Sequence, residues 1–273
     1  MGCSSGKSFL MWAVPVRLTI LGSGSAGNCA YVETEETRLL IDAGLSGRQI
    51  RHRLTLIGRA PENLTGILIT HEHSDHVQGL GVLAKKLKVP IYCNRETAEA
   101  LRRQLEGQLD FRLFSTGAKF DLGDVTVETF TVPHDAQDPI GLLLHTSSGR
   151  IGVVTDLGHA TRLVIERVRT ANVVLIETNH DIKMLQDCPH RPWSLKQRIL
   201  SRHGHLSNGA AADAVEQFMS ADLRHLYLGH LSRECNKPDL AYEVMHERLG
   251  SIGASHVHLH MTSQGQPSST LVL

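Results

Sequence analysis

Several features that mark particular protein classes are scarce or missing in this 273-residue chain. Aromatic residues make up only 4%, which argues against a broad surface for stacking nucleic-acid bases. Lys plus Arg and Asp plus Glu each number 28, so no net charge draws nucleic acid to the whole surface. No apolar stretch approaches the ~18 residues that a membrane-spanning helix needs, so no such helix is expected.

The five cysteines contain no C-x-x-C pair, and their number is odd. Without a secretory signal, this pattern predicts reduced thiols in a cytoplasmic protein. Residues 1–14 fit neither a signal peptide, a myristoylation site nor a phosphate-binding loop. They predict a disordered leader, or a translation start at Met11 in place of Met1. The remainder, 15–273, is predicted to form one domain.

Strand-like runs alternate with shorter helical patterns in both halves of the chain. Buried strands are predicted at 66–69, 151–154 and 173–176, and helices at 46–57 and 75–88. This organisation suggests two sheets packed face to face with helices outside, in a single domain.

Residues 22–27 read Gly-Ser-Gly-Ser-Ala-Gly and follow a predicted strand, so they match the G-x-G-x-x-G dinucleotide-binding pattern. That pattern requires a helix next, whereas 29–33 and 38–41 read as strands. A glycine loop in a hairpin, or one lining a site, is therefore the better interpretation.

Histidine is abundant, with 17 residues, and it is the commonest metal ligand in proteins. Residues 71–76 read His-Glu-His-Ser-Asp-His directly after a buried strand, and they offer four potential ligands within six positions. Four ligands so close in sequence do not readily coordinate a single ion, because a catalytic zinc takes about three protein ligands. The segment therefore predicts two metals, each completed from elsewhere in the chain. Three later candidates each follow a strand-like run: His134, Asp156 and His230.

The spacing of His-x-His-x-Asp-His, a single His, a Thr-Asp and a Gly-His resembles the metallo-β-lactamase fold hydrolases. The resemblance covers nearly the whole chain from Val16, and includes the Leu-Leu-Ile-Asp-Ala-Gly run at 39–44. It implies an α/β fold, the αββα four-layer sandwich, with a di-metal centre at one edge of the sheets. It assigns His71, His73 and His134 to one metal, and Asp75, His76 and His230 to the other, with Asp156 bridging. The metals it implies are zinc, or sometimes manganese or iron.

A narrower resemblance is to the YycJ branch of that superfamily, also called WalJ or VicX. It is carried by 21–29, 133–136, 177–181, 204–208 and 229–236. Members of this branch are described as 5′→3′ exonucleases on duplex DNA, which implies a nucleic-acid partner and a phosphodiesterase activity. The carboxyl half is also similar to the tRNA 3′-processing endonuclease. We find no inserted β-CASP domain and no long tRNA-gripping arm, which weakens the RNA-processing interpretation.

Two catalytic roles follow for this chemistry. Asp75 is predicted to orient a metal-activated hydroxide, and His205 to give a proton to the departing 3′-oxygen. Candidate substrate contacts are Asn179, His180, Ser207 and Arg233. Two basic stretches support a polyanionic substrate, although solvated helical faces would look the same. They contain Arg48, Arg51, Arg53 and Arg59 in the first, and Lys183, Arg191, Lys196, Arg198 and Arg202 in the second.

Other functions remain open at this point. Within the fold they are an RNA-processing or small-molecule phosphodiesterase, or a thioester or lactam hydrolase that attacks a carbonyl carbon. A regulatory binding protein on the same scaffold is the non-enzymatic alternative. The fold alone does not decide among them.

Overall fold

The computed structural model describes residues 15–273, and the predicted leader at 1–14 lies outside them. Two seven-stranded sheets stand face to face. In spatial order, the strands of the first sheet are β14 (Leu271–Val272), β1 (Arg17–Gly22), β2 (Cys29–Glu33), β3 (Arg38–Ile41), β4 (Gly66–Leu68), β5 (Ile91–Asn94) and β6 (Phe111–Phe114). Those of the second are β13 (His258–Met261), β12 (His225–Gly229), β11 (Val173–Glu177), β10 (Gly149–Val154), β9 (Ile140–Thr146), β8 (Val125–Thr131) and β7 (Lys119–Leu122).

The helices cover the outer faces of the two sheets. In chain order they are α1 (Gly47–Leu56), α2 (Ser74–Val77), α3 (Leu80–Leu87), α4 (Arg95–Gln104), α5 (Arg162–Val168), α6 (Ile182–Asp187), α7 (Trp193–Ile199), α8 (Asn208–Phe218) and α9 (Pro238–Ser251), with a short 3₁₀ helix at Pro61–Asn63. None of the helices in the described part of the chain is long and apolar enough to cross a membrane.

Three buried clusters fill the spaces between these layers. Side chains of both sheets meet in the central cluster, which contains Ile20, Leu142 and Tyr227. The first sheet packs outward on α1, α3 and α4, and the second packs on α5, α8 and α9. Because each strand alternates its side chains between two faces, the buried strands must be apolar on both. The four-layer α/β sandwich expected from the sequence is therefore confirmed.

Local sequence explains most element boundaries. Ser46 caps α1 and forms a reciprocal capping box with Gln49, close to the predicted start of that helix. The helix predicted at 75–88 is instead two helices, α2 and α3, with Gly79 at the break. The Gly79 amide donates to the Ala43 carbonyl oxygen instead of continuing the helix. A Cβ on Gly79 would lie 2.2 Å from the Leu45 carbonyl oxygen, so the loop before α1 packs closely against this break.

The glycine-rich loop at 22–27 joins β1 to β2, which pair as antiparallel strands. No helix follows the loop, so the dinucleotide interpretation is excluded. The four cysteines at 29, 93, 188 and 235 are buried free thiols, as predicted for these positions.

Candidate metal centre

The candidate ligands lie in loops that follow four different strands at one edge of the sandwich. His71 and His73 follow β4, His134 follows β8, Asp156 follows β10, and His230 follows β12. Asp75 and His76 are in α2, whose start is capped by His73. Strand ends that meet at one edge of a sheet can bring together residues distant in sequence.

Three histidines form a first group, in which the ligand atoms of His71, His73 and His134 lie within 4.8 Å of one another. His134 Nε2 is 3.3 Å from His73 Nδ1. Two imidazole nitrogens bound to one tetrahedral zinc at about 2.0–2.1 Å would be separated by about 3.3 Å. The spacing therefore suits a shared ion.

The second group is formed by Asp75, His76, Asp156 and His230. His230 Nε2 lies 3.2 Å from Asp75 Oδ2 and 3.3 Å from Asp156 Oδ1. Asp156 also faces the first group, because its Oδ1 is 3.8 Å from His134 Nε2. The structure thus brings all seven predicted ligands together, with Asp156 between the two groups.

One buried atom shows that this donor set suits metal ions. His71 Nε2 is shielded from solvent and has no hydrogen-bond partner. A buried polar atom left unpaired costs about 1–3 kcal/mol, so such atoms need a ligand. Imidazole and carboxylate donors of this kind bind divalent transition metals.

Two buried acids each contact a ring nitrogen of one candidate ligand histidine. Asp42 Oδ2 lies 2.7 Å from His76 Nδ1, and Asp42 Oδ1 accepts a bond from the Thr70 amide. Glu177 Oε1 lies 2.9 Å from His230 Nδ1. Each contact occupies one ring nitrogen and leaves the other for the centre, which is the usual support for metal-binding histidines.

His205 shares the Glu177 carboxylate, with its Nδ1 2.6 Å from Oε1. Burial alone would raise the pKa of Glu177, but His205 and His230 lower it to about 2. Burial lowers the pKa of His205, but Glu177 raises it by more, so it stands above the usual histidine range. Glu177 therefore stays ionised and fixes the orientation of the His205 ring.

Neither Asp42 nor Glu177 was assigned a role from the sequence. Both belong to segments that carry the family resemblance, 39–44 and 177–181, so those segments could have pointed to these two acids.

Backbone strain marks the site as well, and it is visible only in the structure. Asp42, Asp156 and His230 have φ of 59°, 59° and 53°, a region that residues other than glycine rarely adopt.

The glycine-rich loop braces the second ligand group. Ser23 Oγ accepts a 2.8 Å bond from the His230 amide and donates to Asn28 Oδ1. Asn28 Nδ2 lies 3.2 Å from His76 Nε2, and the Asn28 amide bonds to the Asp75 carbonyl. The interpretation of 22–27 as a loop that lines a site is thus confirmed.

Gly44 gives a direct test of this packing. A Cβ at Gly44 would lie 1.6 Å from the Asp75 carbonyl oxygen, so the segment carrying two candidate ligands would have to move. We expect Gly44→Ala to lower the free energy of unfolding by about 1–3 kcal/mol, and to lower metal content. Denaturant unfolding and elemental analysis measure both quantities.

Gly209→Ala in α8 is the control. Its new methyl group meets nothing within 4 Å, so unchanged or slightly higher stability is expected. Equal stability of the two variants would contradict the expectation.

A cavity of about 200 Å³ opens onto both ligand groups. Five of the candidate ligands and His205 line it: His73, Asp75, His134, Asp156, His230 and His205. The lining also includes Arg191 and Arg198, each paired with an acid, Glu234 and Asp135 respectively. The cavity thus combines metal-ligand donors, an oriented histidine and two cations.

The four predicted substrate contacts occupy different places. Asn179 lines the cavity, and its Nδ2 donates to the His230 carbonyl oxygen. His180 is 1% exposed and lies outside the cavity lining, with both ring nitrogens unpartnered. Ser207 caps α8 by accepting a bond from Ala210. Arg233 is exposed and also lies outside the lining.

The first basic stretch has a structural role that the sequence did not show. Arg53 is 5% exposed and donates to the carbonyl oxygens of Leu21 and Gln264. Arg51 and Arg59 pair with Glu62 and Glu33. Of the second stretch, Arg191 and Arg198 reach the cavity, whereas Lys196 is buried and donates to the Gln186 carbonyl oxygen.

Comparison with known proteins identifies the family. A model of the beta-lactamase superfamily domain matches residues 37–231. The chain is 37% identical over 260 residues to exodeoxyribonuclease YycJ of Bacillus anthracis, covering 93% of this chain and 97% of that protein. It is 40% identical over 243 residues to exodeoxyribonuclease WalJ of Streptococcus pneumoniae serotype 2, covering 88% and 90%.

Solved structures share the fold at low sequence identity. The metallo-β-lactamase fold protein YhfI of Bacillus subtilis has a TM-score of 0.69 and 17% identity, with 93% of this chain and 99% of that one covered. The short form of human tRNase Z has a TM-score of 0.63 and 16% identity, with 93% and 98% covered. Taken with the matched family model and the near-full-length relatives, these similarities show that the chain belongs to the metallo-β-lactamase superfamily, in its YycJ (WalJ) branch.

Proposed function

We propose that this chain is a two-metal phosphodiesterase that releases nucleotides from the 5′ end of duplex DNA. The observation that carries the proposal is its 37–40% identity, over about nine-tenths of the chain, to proteins named exodeoxyribonucleases. The cavity supports it, because donors for two metals, an oriented histidine and two arginines face one small space.

Zinc is the metal that best suits the histidine-rich donor set. His71, His73 and His134 would hold one ion, and Asp75, His76 and His230 the other, with Asp156 shared. Bound there, two such ions supply a water of lowered pKa and stabilise the charge that develops in phosphodiester displacement. Asp75 faces the cavity beside His230 Nε2, where its carboxylate can orient the attacking water.

His205 is placed to protonate the departing 3′-oxygen. Its Nδ1 bonds to Glu177, so its Nε2 is the nitrogen that remains for the substrate. The ring lines the cavity next to the ligand rings, with its centroid 5.0 Å from His134 and 5.2 Å from His230. A proton donor in this position assists the step in which the nucleotide leaves.

Arg191 and Arg198 are the phosphate contacts that the cavity favours. The Asp135 carboxylate alone separates Arg198 from the first ligand group: Oδ2 accepts from Arg198 Nε, and Oδ1 lies 3.6 Å from His134 Nε2. A guanidinium exchanges one oxyanion for another readily, because carboxylate and phosphate present similar acceptor geometry. A bound phosphate would therefore compete with the acid for each arginine.

Replacing Arg198 by alanine is expected to raise KM for DNA about tenfold or more, with a smaller effect on kcat. The reason is that a hydrogen bond to a charged group contributes about 1.5–3 kcal/mol to binding. Loss of one phosphate contact should also make the slope of log binding constant against log salt concentration shallower by about one. Steady-state kinetics at several salt concentrations measure both. Arg167→Ala, which removes an exposed arginine paired with Glu128, is the matched control. An unchanged KM for Arg198→Ala would exclude the contact.

A digestion series tests the function itself. Metal-loaded protein would be incubated with end-labelled duplex DNA, single-stranded DNA, structured RNA, a chromogenic phosphodiester and a thioester. Release of nucleotides from the 5′ end of the duplex is expected, with slower or no release from the other substrates. Hydrolysis of the thioester alone, or of RNA in preference to duplex DNA, would overturn the proposal.

A further inference from the structure

A second group of histidines lies at the other end of the second sheet. His225 opens β12, and the neighbouring strand β13 carries His258 and His260. The parallel register pairs His225 with His258, and Tyr227 with His260. All four side chains therefore project from the same face of the sheet. His225 lies five residues before His230, about 16 Å along the strand, so this group is separate from the metal centre.

The ligand atoms of this group are unusually close. His225 Nδ1 lies 3.0 Å from His260 Nε2. Two imidazole nitrogens at 90° around one ion, each about 2.1 Å from it, would be separated by about 3.0 Å. The ring of His258 lies over that of His225, with centroids 5.3 Å apart. A third imidazole is thus adjacent to the pair.

The two rings also have free lone pairs near neutral pH. Burial and the neighbouring histidines lower the pKa of both His225 and His260, which favours the neutral ring that binds metals. His258 is exposed, and β13 forms the edge of its sheet, so an ion has access from solvent.

We propose that His225 and His260 bind a divalent transition cation that takes square-planar or octahedral geometry, such as Cu²⁺ or Ni²⁺, with solvent completing its coordination. The ion joins the edge strand β13 to β12 through side chains on both. Because it binds the folded chain, it stabilises it, and the thermal midpoint rises with ion concentration. The site does not depend on the proposed nuclease function.

Copper binding to the zinc-loaded protein tests this site. Cu²⁺ would be added up to one equivalent, and bound copper followed by electron paramagnetic resonance and by thermal unfolding. We expect one tightly held equivalent, with coupling to two nitrogens and a raised thermal midpoint. His225→Ala and His260→Ala should each lose that equivalent, while their DNase rate without copper stays at the wild-type value.

Two further variants make the test specific. His246→Ala removes a histidine that stacks on Tyr242 in α9, and should bind copper as the wild type does. His258→Ala changes only an exposed side chain, so it should fold normally and keep the coupling to two nitrogens. Absence of tight copper binding, or binding that survives both His225→Ala and His260→Ala, would overturn the proposal.

Discussion

Asp156→Asn is expected to reduce the DNase rate by at least ~10³-fold and metal content from two equivalents to one or none. Asp156 lies between the two ligand groups, 3.3 Å from His230 Nε2 in the second group and 3.8 Å from His134 Nε2 in the first. Asparagine keeps the shape but loses the charge and one acceptor oxygen, so it cannot serve both groups. Several kcal/mol of transition-state stabilisation depend on the metals, which corresponds to this loss of rate.

The substitution suits the backbone, because asparagine tolerates the left-handed conformation that Asp156 adopts at φ 59°. A loss of function would therefore reflect the site and not a strained loop. Asp213→Asn, which changes an exposed acid paired with Arg248, is the control and should keep both activity and metal. Elemental analysis and initial rates measure the outcome. Two equivalents of metal and a normal rate in Asp156→Asn would contradict the two-metal assignment.

His205→Ala is expected to lower kcat by about 10²–10⁴-fold while leaving metal content unchanged, since general acid catalysis contributes that much. The decisive comparison uses DNA in which sulfur replaces the 3′-oxygen of the scissile bond. A thiolate leaves without a proton, so the variant should approach the wild-type rate on this substrate. Glu177→Gln should show the same pattern more weakly, because Glu177 holds the His205 ring. It also contacts the His230 ring, so this variant should lose some metal as well.

Metal analysis of His205→Ala separates two roles for this residue. His205 Nδ1 lies 3.8 Å from Asp156 Oδ1, and it belongs to a third group of nearby donors with Asp156, Glu177 and His230. Loss of metal from the variant would make His205 a ligand instead of a proton donor. Full activity on the natural substrate, with both metals kept, would exclude a role in catalysis.

Much of the candidate site could be predicted from local sequence. The 71–76 segment places four donors directly after a buried strand, and the three distant candidates each follow a strand-like run. The family resemblance supplied their assignment to particular metals. The alternation of apolar runs predicted the sandwich, because strands buried on both faces must be apolar throughout. Boundaries were less accurate: α2 and α3 are separated at Gly79, whose amide donates to the distant Ala43 carbonyl oxygen, and no local pattern encodes that bond.

The surroundings of individual charged and polar side chains were predicted least well from the sequence. Arg53 and Arg198 look alike as members of basic stretches, yet one donates to buried carbonyl oxygens and the other lines the cavity. His180 lies one residue from Asn179, but it is buried outside the cavity lining. Side-chain environment depends on what packs against a residue, and those neighbours are distant in sequence.

The amino-acid sequence by itself determined the layers of the fold and the residue types available for metal binding, since both follow from local periodicity and spacing. Only the tertiary structure decided which acids hold the ligand rings, which arginines face the cavity, and that a second histidine group forms across β12 and β13. Asp42, Glu177 and His260 acquire their roles through contacts spanning 28 to 53 residues of chain. Such contacts exist only after the sheets have brought these strand ends together.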